Sequence, residues 1–224
     1  MTTRAKLGIS LAAAIAAVGL PALLSLSRSA EAASNVPPAA LVEPSKGRSE
    51  VAVLAGGCFW GVEAVFEHVK GVTNVTSGFA GTKAAGANYK KVSSGGTGIA
   101  EAVRISFDPR QISYAELLRI FLAVAHDPTQ VNRQGPDVGT QYRSAIFPQS
   151  PAQARVANAY IGQLAKARVF AKPIATRIEQ GRFVEAEPFH QDFMARNPRH
   201  PYVVIHDRPK LAALKSQFPA RWKG

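Results

Sequence analysis

Cysteine is nearly missing from this chain: one residue, Cys58, stands among 224. An intramolecular disulfide is thereby excluded, and stability must come from an ordinary buried core. That thiol and five histidines show no metal-ligand spacing, so no metal is expected; no other cofactor is expected either. Acidic residues are also few, 15 against 27 lysines and arginines, for a formal charge of +12. The basic residues are scattered rather than gathered in one stripe, and no nucleic-acid module motif occurs. Nucleic acid is therefore not expected as a partner, whereas a solvated basic surface that attracts acidic proteins or anionic membrane faces is. There is no internal repeat.

Only one apolar stretch, Leu7 to Leu26, approaches the length needed to span a bilayer. Arg4 and Lys6 precede it, and Ala30-Glu31-Ala32 supplies small residues at the positions a signal peptidase reads. We read residues 1–32 as a signal peptide for export to a periplasmic location. The alternative is an uncleaved membrane anchor, against which Pro21 and the alanine-rich composition speak. Residues 33–50, with Pro37, Pro38, Pro44, Ser45, Gly47 and Ser49, read as a disordered leader. Residues 51–224 are long enough for one catalytic domain with a well-buried interior.

Cys58 lies in Gly56-Gly57-Cys58-Phe59-Trp60-Gly61, after the apolar run Val51 to Ala55 and before the helical pattern Val62, Val65, Phe66, Val69. A thiol that leaves a strand through a glycine turn and opens a helix lies in the helix's positive N-terminal field, where free N–H groups stabilise a thiolate. The plain alternative is a small buried hydrophobe. The glycine turn, the neighbouring aromatics and the hazard of an unused thiol in an oxidising compartment favour a reactive role.

Strands and helices alternate along the rest of the chain. Val72 to Phe79 and Ala102 to Phe107 alternate as strands, with a long glycine-rich loop, Gly78 to Gly98, between them. Ser113 and Glu116 form a capping box ahead of an apolar helix face that includes Leu117, Leu118 and Phe121. A polar loop from His126 to Gly139 precedes the strand Ser144 to Phe147. Ser150-Pro151-Ala152-Gln153 starts another helix, and Pro173 to Ile178 reads as a further strand. Mixed elements on one core imply a two-layer α/β sandwich.

Within this frame Glu101 opens a strand directly out of the glycine-rich loop, beside apolar neighbours that would raise its pKa towards that of a general acid. Tyr89 and Tyr142 lie in the two long loops, where their hydroxyls can meet a polar substrate atom. Asp137, between Gly135-Pro136 and Gly139, reads most simply as a turn residue.

Gly57-Cys58-Phe59-Trp60, Gly98-Ile99-Ala100-Glu101, His126-Asp127-Pro128-Thr129, Gly135-Pro136-Asp137-Val138-Gly139-Thr140-Gln141-Tyr142-Arg143-Ser144 and Ala186-Glu187-Pro188-Phe189-His190-Gln191-Asp192 together resemble peptide methionine sulfoxide reductases of the A type. The resemblance implies an α/β two-layer sandwich on a mixed sheet, a ferredoxin-like plait, and reduction of the S epimer of methionine sulfoxide, free or in proteins. It implies that Cys58 attacks the sulfoxide sulfur, Glu101 protonates the departing oxygen and Tyr89 and Tyr142 hold that oxygen. Phe59 and Trp60 would cage the S-methyl group, and Asp137 would accept a hydrogen bond from the substrate backbone. Many relatives clear the resulting sulfenic acid with a second cysteine, which this chain lacks. An external thiol, from a thioredoxin-like protein, glutaredoxin or glutathione, is then the expected reductant, and a monomer the expected state. Two departures, Ile99 where the family usually has histidine and Phe79-Ala80-Gly81-Thr82 for Tyr-x-Gly-Gly, bear on how the loop holds Glu101.

Two other classes remain open on the residues alone. A cysteine hydrolase would pair Cys58 with His126, His190 or His206 as base. A non-catalytic basic binding module would leave the cysteine buried and the loops without convergent polar groups.

Overall fold

The computed structural model describes residues 36–45 and 47–224; the signal peptide expected over 1–32 lies outside the described residues. Strand β1 (Glu50–Gly56) is followed by helix α1 (Phe59–Glu67), strand β2 (Val72–Gly81), the short helix α2 (Tyr89–Ser93), strand β3 (Ala100–Phe107) and helix α3 (Tyr114–Ile120). The two-residue strands β4 (Arg133–Gln134) and β5 (Asp137–Val138) pair as a hairpin. Strand β6 (Ser144–Phe147), helix α4 (Pro151–Lys166), strands β7 (Arg177–Ile178) and β8 (Arg182–Glu185), and helices α5 (Phe193–Arg196) and α6 (Arg208–Gln217) complete the chain.

Six strands form one sheet in the order β7-β6-β1-β3-β2-β8, every neighbouring pair antiparallel except β6 and β7. The path β1-α1-β2-β3-α3-β6 gives the strand order of a ferredoxin-like plait, with β7 and β8 added at the two edges. The mixed sheet and the two-layer arrangement are those expected. Alternation along the inner strands splits the side chains: Leu54, Phe79, Val103, Ile105 and Ile146 face a core shared with Val62, Val65 and Phe66 of α1, Leu117 and Leu118 of α3, and Val156 and Tyr160 of α4. The opposite face is built mostly of alanine, with Ala55, Ala80, Ala100, Ala102 and Ala145 around Val53 and Phe147.

The helix starts follow from local chemistry. Ser113 Oγ accepts the Glu116 N–H at 3.1 Å and Ser150 Oγ accepts that of Gln153 at 3.2 Å, with Pro151 at the first position of α4. The α3 register then widens into a π turn over Phe121–Ala125, which delivers His126 to the end of β1.

Four expectations are corrected. The segment from Gly78 to Gly98 is not one irregular loop, because β2 runs on to Gly81 and Asn88 Oδ1 caps α2 by accepting the Lys91 N–H. The His126–Gly139 segment contains the β4–β5 hairpin. The strand expected over Pro173–Ile178 shrinks to β7, since Ala175 donates to Pro128 O rather than into the sheet. Residues 36–45 are not a disordered leader but a strap across α3 and α4. Val36 is buried, Arg119 Nε donates to Val36 O at 2.9 Å, Tyr160 donates to Pro37 O at 2.6 Å, and Glu43 pairs bidentately with Arg155 at 2.6 and 2.8 Å. Proline removes N–H groups from this segment, so distant side chains satisfy its carbonyls instead.

Candidate active site

The turn between β1 and α1 sets the position of Cys58. Gly57 has φ +92°, and a Cβ there would stand 2.5 Å from Gln134 Cβ; only glycine admits both the left-handed backbone and the close approach of β4. Cys58 is thus the N-cap of α1, and its residue is 9 % exposed. Two strands away in sequence, Glu101 sits on the helix-facing side of β3, opposite Phe79 of β2 and 2 % exposed. The Phe59 N–H donates to Glu101 Oε2 at 3.2 Å, tying the start of α1 to the acid.

Tyr89 is the first residue of α2, its N–H donating to the Glu187 carboxylate at 3.0 and 3.3 Å. Tyr142 ends the 3-10 turn Thr140–Tyr142, and Asp137 belongs to β5. Cys58, Phe59, Trp60, Tyr89, Glu101, Asp137 and Tyr142, the seven residues singled out in the sequence, line one open pocket of about 140 Å³. An eighth wall residue, Tyr202, was not anticipated; its hydroxyl donates to Asp137 Oδ2. The only local signal for it is the proline-led helical start at Pro201, which says nothing of direction.

Aromatic packing stiffens one side of the pocket. Trp60 stacks on Phe193 at 3.6 Å between ring centroids, and its Nε1–H donates to His190 Nδ1 at 3.2 Å. The buried His190 ring in turn lies 5.0 Å from Phe59 and 4.4 Å from Tyr89. Such contacts hold the aromatic faces in one arrangement around the opening.

Burial dominates the electrostatics. It pushes the Cys58 thiol well above its ordinary value, Glu101 and Asp207 add to that rise, and the Trp60 N–H and Lys210 oppose it. The expected thiolate at the helix N-terminus is therefore corrected: the Trp60 N–H and Lys210 do not offset desolvation and the neighbouring acidic side chains, and the thiol is neutral in the free protein. Glu101 is pushed up to about 8, by burial first, against the Phe59 hydrogen bond and with a further push from Asp137. Its carboxyl accordingly carries a proton at pH 7. Burial likewise raises Tyr89 and Tyr142, which remain hydroxyl donors.

The histidines are engaged elsewhere. His126 Nε2 lies 2.6 Å from Ser144 Oγ and its Nδ1 3.0 Å from Phe121 O. Burial holds this imidazole down to about 4, so it is neutral. A neutral ring with a carbonyl at Nδ1 donates there and accepts the Ser144 hydroxyl at Nε2, and Ser144 Oγ also contacts Thr176 Oγ1 at 2.7 Å. His190 Nδ1 accepts from Trp60, and His206 packs its ring on Tyr202 at 4.9 Å. Among the described residues none of the three is hydrogen-bonded to Cys58, and no group of three His, Cys, Asp or Glu side chains is placed to hold a metal ion.

The two departures leave the acid anchored. Ile99 and Phe79 are buried apolar residues, the latter 5.8 Å from the Phe59 ring. The start of β3 is held from behind by Arg143, which donates to Gly98 O at 3.1 Å and pairs with Glu179 at 2.7 Å.

A family model described as peptide methionine sulfoxide reductase matches residues 50–222. A protein of Synechocystis sp. named peptide methionine sulfoxide reductase MsrA 2 is 54% identical over 176 residues, covering 78% of this chain and 82% of that protein. Its namesake in Mesorhizobium japonicum is 52% identical over 77% of this chain and 89% of its own length. Among solved structures, reduced Mxr1 from Saccharomyces cerevisiae superposes with a TM-score of 0.62 at 31% identity, over 72% of this chain and 92% of that one. Methionine sulfoxide reductase A of Corynebacterium diphtheriae gives 0.58 at 32% identity, over 74% and 84%.

Proposed function

The chain belongs to the peptide methionine sulfoxide reductase family, as a peptide-methionine (S)-S-oxide reductase that repairs oxidised proteins, and on that premise we propose that its chemistry runs through Cys58, Glu101, Tyr89 and Tyr142. The observation that carries this reading is the meeting of a lone cysteine and a carboxyl that is neutral at pH 7 in one pocket with two hydroxyl donors. A sulfoxide oxygen becomes basic as its sulfur is attacked, so an acid and two donors aimed at it stabilise the charge that develops.

The step balances within the pocket. Cys58 sulfur attacks the sulfoxide sulfur while Glu101 gives its proton to the oxygen, and the carboxylate so formed takes up the thiol proton. The oxygen then passes to Cys58, leaving methionine and a cysteine sulfenic acid. Phe59 and Trp60 supply an apolar wall for the S-methyl group. Asp137 has one carboxylate oxygen committed to Tyr202, and the other serves the substrate backbone N–H.

One cysteine cannot condense with itself, so an external thiol displaces the sulfenic oxygen as water, forming a mixed disulfide that a second thiol resolves. A thioredoxin-like protein, glutaredoxin or glutathione fits that role, with the enzyme acting as a monomer. The apolar stretch Leu7–Leu26 and the small residues Ala30 and Ala32 support export by a cleaved signal peptide; N-terminal sequencing of the protein recovered from periplasm and membrane fractions tests it.

The experiment that tests the function is an assay of both diastereomers of a methionine sulfoxide peptide with dithiothreitol as reductant. Turnover of the S epimer alone is expected. Equal turnover of the R epimer, or none of either, overturns the assignment.

A further inference from the structure

Against Gly61, one helical turn on from Cys58, lies an ion pair between a buried aspartate and a half-buried lysine that the chemistry above does not use. Asp207, 1 % exposed, and Lys210, at the start of α6, meet at 3.2 Å between Oδ1 and Nζ. They reach α1 because residue 61 has no side chain. A Cβ on Gly61 would stand 2.0 Å from Asp207 Oδ1 and 2.7 Å from Lys210 Nζ. Gly61 is three positions after Cys58, and residues so spaced on a helix bring their Cβ positions to roughly 5–6 Å. Asp207 is therefore on the order of 8 Å from the Cβ of Cys58, with Lys210 slightly farther. The second carboxylate oxygen, Asp207 Oδ2, is buried without a hydrogen-bond partner, so its charge is less quenched than in a fully satisfied pair.

We propose that Asp207 is a positioning residue that restrains ionisation of Cys58, that Lys210 partly relieves the restraint, and that the two together set the pH at which the lone nucleophile becomes reactive. The proposal deepens the reading of Cys58 as the attacking thiol. A neutral thiol resists chance oxidation when no second cysteine stands by to intercept its sulfenic acid. An aspartate held against the helix that carries the thiol supplies that protection, and the lysine limits its cost to reactivity.

The other groups around Cys58 are accounted for. From β3 the Glu101 carboxyl faces it, and Asp137 approaches from the β4–β5 hairpin; Tyr89, Tyr142 and Tyr202 contribute hydroxyls. His190 faces Phe59, Trp60 and Tyr89 rather than the sulfur, and His126 is neutral. His206 acts on Asp207, lowering its carboxyl against the rise that burial causes. Of these groups, Lys210 is the cation that favours the Cys58 thiolate, and Asp207 follows Glu101 among the anions that oppose it.

Because the chain has one cysteine, alkylation by iodoacetamide reports on Cys58 alone. The rate is measured against pH for the full protein and for Asp207→Asn, Lys210→Met and Lys210→Arg, with folding followed by circular dichroism. Asp207→Asn is expected to lower the pH midpoint by about one unit and speed alkylation at neutral pH severalfold. Lys210→Met is expected to raise the midpoint by a similar amount, and Lys210→Arg to restore it. A merely structural pair would change the melting temperature and leave the midpoints together, and that result overturns the proposal, as does a shift of opposite sign. If Lys210→Met fails to fold, the isosteric Asp207→Asn decides alone. The readout involves no sulfoxide, so a failure here is distinct from a failure of the assigned reaction.

Discussion

The Phe59 N–H donates to Glu101 Oε2 at 3.2 Å, joining two residues 42 positions apart in sequence. The bond has two effects. It fixes the Glu101 carboxyl beside the residue that follows Cys58, and it favours the carboxylate slightly while burial favours the acid, leaving Glu101 at about 8. A carboxyl with that value is protonated at neutral pH and still gives up its proton readily.

Glu101→Gln keeps the shape and loses the proton. Methionine formation in a single turnover is expected to slow by a factor of order 10² or more, the range for loss of general acid catalysis. The pH dependence carries the sign. Below about 8 the carboxyl is the neutral acid, and above it the carboxylate, so the rate attributable to the acid should fall as pH rises through that value. The fall should vanish in Glu101→Gln, and an unchanged single-turnover rate in that variant would show that another group supplies the proton.

Glu63 offers a test of stability free of the chemistry. It is buried in α1, its Oε1 accepts the Ser77 N–H at 3.2 Å and its Oε2 has no partner. Burial, with smaller pushes from Glu67 and Asp192, raises it from 4.5 to about 8. The folded state thus holds this proton over the range in which the unfolded chain has lost it. Stability from this source is complete below the unfolded value and is lost as pH rises through about 8. His126, lowered from 6.5 to about 4, works in the opposite direction, but only below 6.5. Between pH 6.5 and 8 the melting temperature should therefore drop, and Glu63→Gln should lessen the drop, Glu101 contributing the remainder, and be the more stable protein at pH 8 by about 1 kcal/mol or more. Parallel curves for the two proteins would contradict this account.

The strap is a third measurable feature. Its bonds from Tyr160 and Arg119 are partly buried, whereas the Glu43–Arg155 pair is largely in solvent and adds little. At roughly 0.5–1.5 kcal/mol per hydrogen bond, a chain starting at Gly47 should be about 2 kcal/mol less stable to urea than one starting at Ala33. Coincident unfolding curves would mean that the strap contributes nothing.

Residues that share a short motif were legible before the fold was known: Cys58, Phe59 and Trp60 are consecutive, and Asp137 and Tyr142 share one loop. What brings them to Glu101 is the antiparallel pairing of β1 with β3, signalled by alternation in both strands. Tyr202 was not legible because its direction depends on how the segment after α5 packs against α1. The ionisation of Cys58 is not legible in the sequence for a related reason. A helix N-terminus is visible in sequence, but the burial that outweighs it, and the acidic side chains of Glu101 and Asp207 that add to it, are tertiary. The strap is not legible in the sequence because its Pro- and Ser-rich composition describes the segment alone, and its partners lie on α3 and α4.

The single cysteine makes the intermediate open to direct capture. With one equivalent of substrate and no reductant, oxygen transferred to Cys58 has no second thiol in the chain to expel it, so the sulfenic acid should persist and be trapped by a dimedone-type reagent. Cys58→Ser should form neither methionine nor adduct. Added thioredoxin-like protein, glutaredoxin or glutathione should restore the thiol at rates ordered by thiolate fraction, nucleophilicity and access. Access will weigh heavily, because Cys58 is only 9 % exposed at the floor of a pocket of about 140 Å³. A small thiol is therefore expected to be hindered less than a protein thiol unless the pocket mouth opens to the protein. If mass spectrometry of the substrate-treated protein shows an unmodified thiol after methionine has formed, oxygen did not pass to Cys58 and the sulfenic-acid route is wrong.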